Sequence, residues 1–159
     1  HIAYHQHTCQ LYKELLAGVE GIVLHENPSS RFDSNYWLNT ILLDPSLHVK
    51  GEEHVYETAV QGAVGGAAGV THVASSLHTD SEPNRNVEAM RMALDAVGIE
   101  SRPLWKPMHL QPVYKNNPCY VNGVSESLFR QGLCLPSGPC VTDEDVVYIV
   151  NAIKACIEK

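Results

Sequence analysis

The chain has 159 residues, enough for one domain with a sizeable core and no need of metals or disulfides to hold it. Its formal charge of −7 argues against a nucleic-acid partner, because phosphate binding wants a basic face, and no apolar run reaches the length of a membrane span. Five cysteines, odd in number and without Cys-x-x-Cys spacing, fit free thiols in a reducing cytoplasm. The chain opens at His1 without a starting methionine, directly in helical-looking sequence, which leads to the expectation of a piece of a longer protein.

From Ile2 to Leu16 the apolar residues follow helical spacing, with Gly18 and Gly21 as stop signals. His1, His5 and Cys9 recur at i, i+4 on one face of that helix, but a structural zinc site wants four ligands and no other ligand cluster has recognisable spacing, so no metal is expected. Gly21–His25 reads as a short strand, and Ser34–Asp44, rich in aromatic and β-branched residues and stopped by Asp44-Pro45, as a central strand. The two-residue period of that strand would put Asn35 and Asn39 on one face with Trp37 and Ile41, and a buried amide needs a partner. Residues 46–85 hold a Gly/Ala-rich insertion whose glycines do not make a phosphate-binding spacing.

Asn86 is expected to cap a helix running through Val97, with Val87, Met90, Leu94 and Val97 on one face and Gly98 as its stop. Residues 99–105 then read as extended, so that strand, helix and second strand form a split β-α-β unit. Ser125 opens a short helix ending at Gly132, and Leu133-Cys134-Leu135 is a last strand. Thr142 with Asp145 makes a capping box for a final helix over 143–157, whose stripe is Val146, Ile149, Val150, Ile153 and Ile157. The elements predict an α+β domain: a mostly antiparallel sheet flanked by helices.

Between the second and third helices lies Ser101–Tyr114, where Pro103, Pro107 and Pro112 each fix φ at about −65° and bias the preceding residue toward extended geometry. The stretch is expected to be a stiff, extended strap rather than a helix. It carries Arg102, Trp105, Lys106, His109, Gln111 and Tyr114: cations, hydrogen-bonding groups and aromatic faces suited to a polar ligand that contains a ring. The alternative is a rigid connector whose aromatics belong to the core. No nucleophile elbow, His-Glu-x-x-His or phosphate loop accompanies it.

Arg-Pro-Leu-Trp-Lys-Pro-Met-His-Leu-Gln-Pro-Val-Tyr (102–114), together with Ser-Asn-Tyr-Trp-Leu (34–38), Leu-Cys-Leu-Pro-Ser-Gly (133–138) and Thr-Asp-Glu-Asp-Val (142–146), resembles the C-terminal part of the DegT/DnrJ/EryC1/StrS aminotransferases. The resemblance implies the small C-terminal domain of a fold type I, pyridoxal-phosphate-dependent transferase, occupying residues 1–159, with the large cofactor-binding domain absent. It implies a parent enzyme that moves an amino group, from glutamate, to a nucleotide-linked keto-deoxy sugar for surface polysaccharide or glycoprotein glycan synthesis. The Trp-Lys-Pro-Met-His-Leu-Gln form is most similar to members acting on UDP-linked 4-keto-6-deoxy-hexosamines.

By the same resemblance the parent would be a cytoplasmic homodimer. The family's Schiff-base lysine and phosphate-binding residues would lie outside this chain, so no catalytic, cofactor-binding or metal-binding residue is assigned within it. The fragment alone is expected to be inactive and not to bind the cofactor. His109, Gln111, Trp105 and Asn35 are the candidate substrate-binding residues, through hydrogen bonds to sugar hydroxyls and ring stacking. Tyr36 stands where the resemblance leads one to expect arginine. The rival reading is a non-catalytic ligand-binding or dimerisation module on the same frame.

Overall fold

A computed structural model describes residues 1–56 and 82–158. Helix α1 spans Ile2–Leu16 and buries Cys9, Tyr12 and Leu16 along one stripe. There follow β1 (Ile22–Leu24), β2 (Asn39–Leu43), α2 (Arg85–Asp95), β3 (Arg102–Pro103), α3 (Val124–Gln131), β4 (Gly132–Leu135) and α4 (Asp143–Cys156). The sheet order is β1-β2-β4-β3 and each neighbouring pair is antiparallel. Because β2 and β3 both run against β4, they run parallel to each other with β4 between them. This is the split β-α-β arrangement, with α2 in the connection, and the fold is α+β as the pattern predicts.

Alternation decides the two faces of the sheet. Ile22 and Leu24, Ile41 and Leu43, and Leu133 and Leu135 point into one core, where they meet Tyr12 of α1, Met90 and Leu94 of α2, and Val146, Ile149 and Ile153 of α4. Val23 points the other way and is exposed. On that second face α3 packs against β2, and its Phe129 is buried outside the main core. Thr40 and Cys134, cross-strand partners there, lie 3.6 Å apart as Oγ1 and Sγ.

The helix ends follow their local chemistry. Thr142 accepts from the Asp145 N–H while the Asp145 carboxylate accepts from the Thr142 backbone, a complete capping box. At the end of α2 the Ile99 N–H donates to Leu94 O (2.9 Å) and the Gly98 N–H to Asp95 O (3.0 Å), with Gly98 at φ 79. That Schellman closure sends the chain into β3, with Ile99 and Leu94 both buried beneath it. Three side chains of α1 clamp the turn before α4: Tyr4 donates to Gly138 O and Val141 O, Tyr12 to Pro136 O (2.9 Å), and His7 pairs with Asp143 (2.8 Å).

Four expectations need correction. The strand predicted over 34–44 shrinks to Asn39–Leu43. Ser34 Oγ and Asn35 Oδ1 each accept the backbone N–H two residues on, from Tyr36 (3.1 Å) and Trp37 (3.1 Å), and Tyr36 sits at φ 49. Side-chain turn chemistry therefore outcompetes the strand preference of the aromatics, and Asn35 and Trp37 do not share a strand face with Asn39 and Ile41. Secondly, Asn86 is not the cap of α2: Asn84 holds that position, while buried Asn86 donates through Nδ2 to Asp44 O and Leu47 O at 2.9 Å each.

Thirdly, α2 stops at Asp95 rather than Val97. Fourthly, the strap is extended only in part: 3-10 turns form at Met108–Leu110 and Pro112–Tyr114. Of the Gly/Ala-rich insertion expected over 46–85, residues 57–81 lie outside the described residues. The segment before them is tied down by a bridge between Val49 and Ile157. No helix among the described residues is long and apolar enough to cross a membrane.

Candidate functional site: the proline strap and its groove

The strap leaves the sheet at β3, where the Leu104 N–H still reaches Gly132 O (3.3 Å). Gly132 makes this approach possible: a Cβ there would run into the Leu104 side chain and would stand 2.6 Å from Leu128 O. Among the described residues β3 pairs only with β4, and Pro103 leaves one position of this strand without an N–H to offer. Beyond it the chain turns twice. The Leu110 N–H donates to Pro107 O (3.0 Å) and the Tyr114 N–H to Gln111 O (2.9 Å), bonds spanning three residues that the prolines permit because each ring precedes or opens a turn.

Polar side chains brace the same loop. Gln111 donates through Nε2 to Lys106 O (3.0 Å), and Lys106 pairs with Glu82 (3.1 Å). Arg102 pairs with Glu100 in the open, at 2.6 Å between Nη2 and Oε1. His109 Nε2 lies 2.7 Å from Oε1 of Glu126 in the first turn of α3, with both side chains more than four-fifths buried. The Glu126 carboxyl is held below the usual carboxylate range, first by its own backbone N–H and then by the hydrogen bond from His109.

Apolar side chains of the loop behave differently. Trp105 is 69% exposed, and Met108, Val113, Tyr120, Val121 and Val124 are also open to solvent. Trp105 borders a groove of about 1010 Å3 at the β3 edge, shared with Trp37, Pro103, Tyr148 and Ser101. Ser101 is buried, and its hydroxyl has no partner among the described residues. Such a mixture, aromatic walls and one unengaged hydroxyl, accepts a ring-containing ligand or an aromatic side chain of a partner.

The four sequence-predicted residues do not converge on one point. Trp105 lines the groove; His109 and Gln111 are turned into the strap's own bracing; Asn35 is exposed in the turn before β2, its Oδ1 engaged by the Trp37 N–H. Two residues went unassigned from sequence. Trp37 reads as a strand aromatic yet is 66% exposed at the groove, and the flanking Ser34 and Asn35 are the signal that could have revealed a turn. Glu126 carries no sequence signal beyond being an acid near a helix start; only folding brings it to His109.

The residues present do not fit pyridoxal phosphate. Lys13 is paired with Glu26 (2.7 Å), Lys50 donates to Ala155 O (2.7 Å), Lys106 is paired with Glu82, and Lys115 and Lys154 lie exposed. Among the described residues no lysine lines the groove. A Schiff-base lysine needs surroundings that depress its pKa and a carboxylate aligned with the pyridine nitrogen, and the described residues offer neither. Among them no three His, Cys, Asp or Glu side chains gather to hold a metal.

Known proteins resemble this chain over part of their length. GDP-perosamine synthase of Vibrio cholerae is 27% identical over 146 residues, 91% of this chain and 29% of that protein. The GDP-perosamine synthase of Caulobacter vibrioides is 37% identical over 60 residues, 38% of this chain and 16% of its own length. Among solved structures, DesI, crystallised in the presence of its TDP-sugar product, superposes with a TM-score of 0.65 at 17% identity, covering 98% of this chain and 31% of that one. The chain thus spans less than a third of each of these proteins. Residues 52–154, strap and capping box included, match the DegT/DnrJ/EryC1/StrS aminotransferase family, and to that family the chain belongs.

Proposed function

We propose that this chain is the substrate-side domain of a pyridoxal-phosphate-dependent aminotransferase that moves an amino group from glutamate to a nucleotide-linked keto-deoxy sugar, for surface polysaccharide or glycoprotein glycan synthesis. The observation that carries the reading is the strap. Its Trp-Lys-Pro-Met-His-Leu-Gln sequence falls within the family match, and its polar groups are braced while the Trp105 indole stays exposed on the groove wall. Relatives that make GDP-perosamine, and a structural neighbour crystallised with a TDP-sugar, support a sugar nucleotide as the ligand class.

In this reading Trp105 stacks on the sugar ring. His109 and the Gln111 carbonyl bond to its hydroxyls, and the Asn35 amide Nδ2 adds a further contact. Their work is orientation, holding a ketone where an amine can reach it. Pyridoxal phosphate supplies the amine carrier when bound, and its lysine and phosphate site belong to the remainder of a longer parent chain, a cytoplasmic homodimer. This chain alone does not transfer an amino group.

The test uses the longest protein that carries this sequence, assayed for transfer from glutamate to GDP- and UDP-linked 4-keto-6-deoxy sugars. We expect turnover with one of them and a kcat/KM lower by about tenfold or more in His109→Ala, the loss of one well-placed hydrogen bond. An unchanged kcat/KM removes His109 from the site, and absence of transfer to either sugar sinks the reaction. Incubated with pyridoxal phosphate and borohydride, the 159-residue chain should yield no stoichiometric adduct; trapping at one lysine would move catalysis into it.

A further inference from the structure

We propose that Glu126 is a positioning residue for His109: its carboxylate takes the hydrogen bond from Nε2, fixing the imidazole as the Nε2–H tautomer and leaving Nδ1 to accept from a sugar hydroxyl. The inference rests on the reading of His109 as a substrate contact and adds the residue and tautomer through which it works.

An ionised carboxylate can only accept, so at 2.7 Å from Glu126 Oε1 the proton must sit on Nε2. The depressed carboxyl of Glu126 agrees with an ionised acceptor. Glu126 is held where it is by the fold. Gly123, at φ 82, starts α3, Glu126 follows in its first turn, and Gly132 lets the end of that helix press against Leu104 at the root of the strap. The second carboxylate oxygen, Oε2, is buried without a partner among the described residues, so His109 is the one side chain there seen to hydrogen-bond this carboxylate. On the other side the ring rides on the 3-10 turn at Met108–Leu110, which Gln111 closes onto Lys106 O. No other hydrogen bond from the His109 ring is formed among the described residues, which leaves Nδ1 as its only unengaged polar atom.

A carboxylate that merely pinned the strap would need no particular tautomer, so the tautomer is the thing to measure. Long-range 1H–15N correlation spectra of the 159-residue chain, taken at about pH 9 where imidazoles are neutral, should show His109 with Nε2 pyrrole-like and Nδ1 pyridine-like. Glu126→Ala should convert this to a mixture of tautomers. Glu126→Gln, whose carbonyl still accepts, should restore the bias. An Nδ1–H tautomer in the wild type, or unchanged populations in a folded Glu126→Ala, overturns the proposal. Should the Ala variant fail to fold, exchange of the Nε2 proton decides: faster in Glu126→Gln than in wild type supports the charged acceptor, and equal rates overturn it.

In the parent enzyme, Glu126→Ala should raise KM for the sugar nucleotide turned over above by about tenfold, with Glu126→Gln recovering most of it. If the tautomer responds to Glu126 but His109→Ala leaves kcat/KM unchanged, the sugar contact fails and the orienting bond stands. If His109→Ala is damaging but the tautomer ignores Glu126, the positioning role alone fails.

Discussion

The core and the strap obey opposite rules. In the core, Tyr12, Ile41, Met90, Leu133 and Ile153 are fully buried, and Asn39 and Ser137 beside them hydrogen-bond to each other. In the strap Gln111 and His109 also close hydrogen bonds, but Trp105, Met108 and Val113 stay in solvent. A loop that spends its polar groups on its own rigidity while exposing its apolar ones is stiff before any ligand arrives. Little ordering then remains to be done on binding, which is the condition under which exposed aromatic surface converts most fully into affinity. The core stabilises the fold; in the proposed reading the strap meets a ligand outside it.

The largest effect should come from emptying the core. Leu133 of β4 stands between Ile41 and Pro103 in the register, without exposure. Leu133→Ala should lower the unfolding free energy by about 2–5 kcal/mol, transfer loss plus residual cavity, read from urea or guanidinium titration. A loss below about 1 kcal/mol would mean that the sheet centre relaxes around the gap, and the contrast with the strap would weaken.

Next comes a polar knot inside the core. Ser137 Oγ accepts from both the backbone N–H and the Nδ2 of buried Asn39, at 3.0 Å each, and donates to Leu135 O. Ser137→Ala leaves two buried donors without an acceptor and should cost roughly 1–3 kcal/mol. A neutral outcome would indicate that water replaces the hydroxyl, and that the knot is wetter than the apolar side chains around it.

How much of this was readable in the sequence depended on whether the signal was local. α4 was legible because Thr142 and Asp145 form a capping box that needs nothing beyond its own turn, and α1 because Cys9, Tyr12 and Leu16 recur at helical spacing. The split β-α-β frame followed from element order. Ser34–Leu38 misled because Tyr36 and Trp37 favour strands while Ser34 and Asn35 bond the backbone into a turn, a contest decided by geometry two residues long. The prolines of the strap excluded an α-helix but did not forbid 3-10 turns, which need fewer donors. The site was harder: the pairing of His109 with Glu126 spans 17 residues and depends on how α3 docks, so neither residue type nor spacing announced it.

A smaller effect belongs to the α4 cap and depends on pH. Thr142 lowers the Asp145 carboxyl below its ordinary range, through its backbone N–H first and its hydroxyl second. A depressed folded pKa means the carboxylate's contribution is complete above the unfolded value of about 4 and is lost as pH falls through the lower, folded one. Thr142→Ala should therefore cost about 1 kcal/mol at pH 7, with the gap from wild type narrowing in acid. Denaturation curves collected from neutral pH downward check it. A gap of constant size would show that the cap works through the Asp145 N–H donated to Thr142 Oγ1 and draws nothing from the charge.

The smallest effect on stability should come from the largest side chain of the strap. Trp105 is 69% exposed and takes no part in the main core, and the bonds that brace its loop run from Gln111, Lys106 and His109 to their partners without involving the indole. Trp105→Ala should then move the unfolding free energy by no more than about 0.5 kcal/mol, as for surface positions generally. The same substitution removes one wall of the groove, so the reading proposed above expects it to weaken sugar-nucleotide binding in the parent enzyme. A tryptophan that costs little to the fold and much to binding would separate the two regions cleanly. A loss of 2 kcal/mol or so in the isolated chain would instead return Trp105 to the core, as the connector reading of the sequence held.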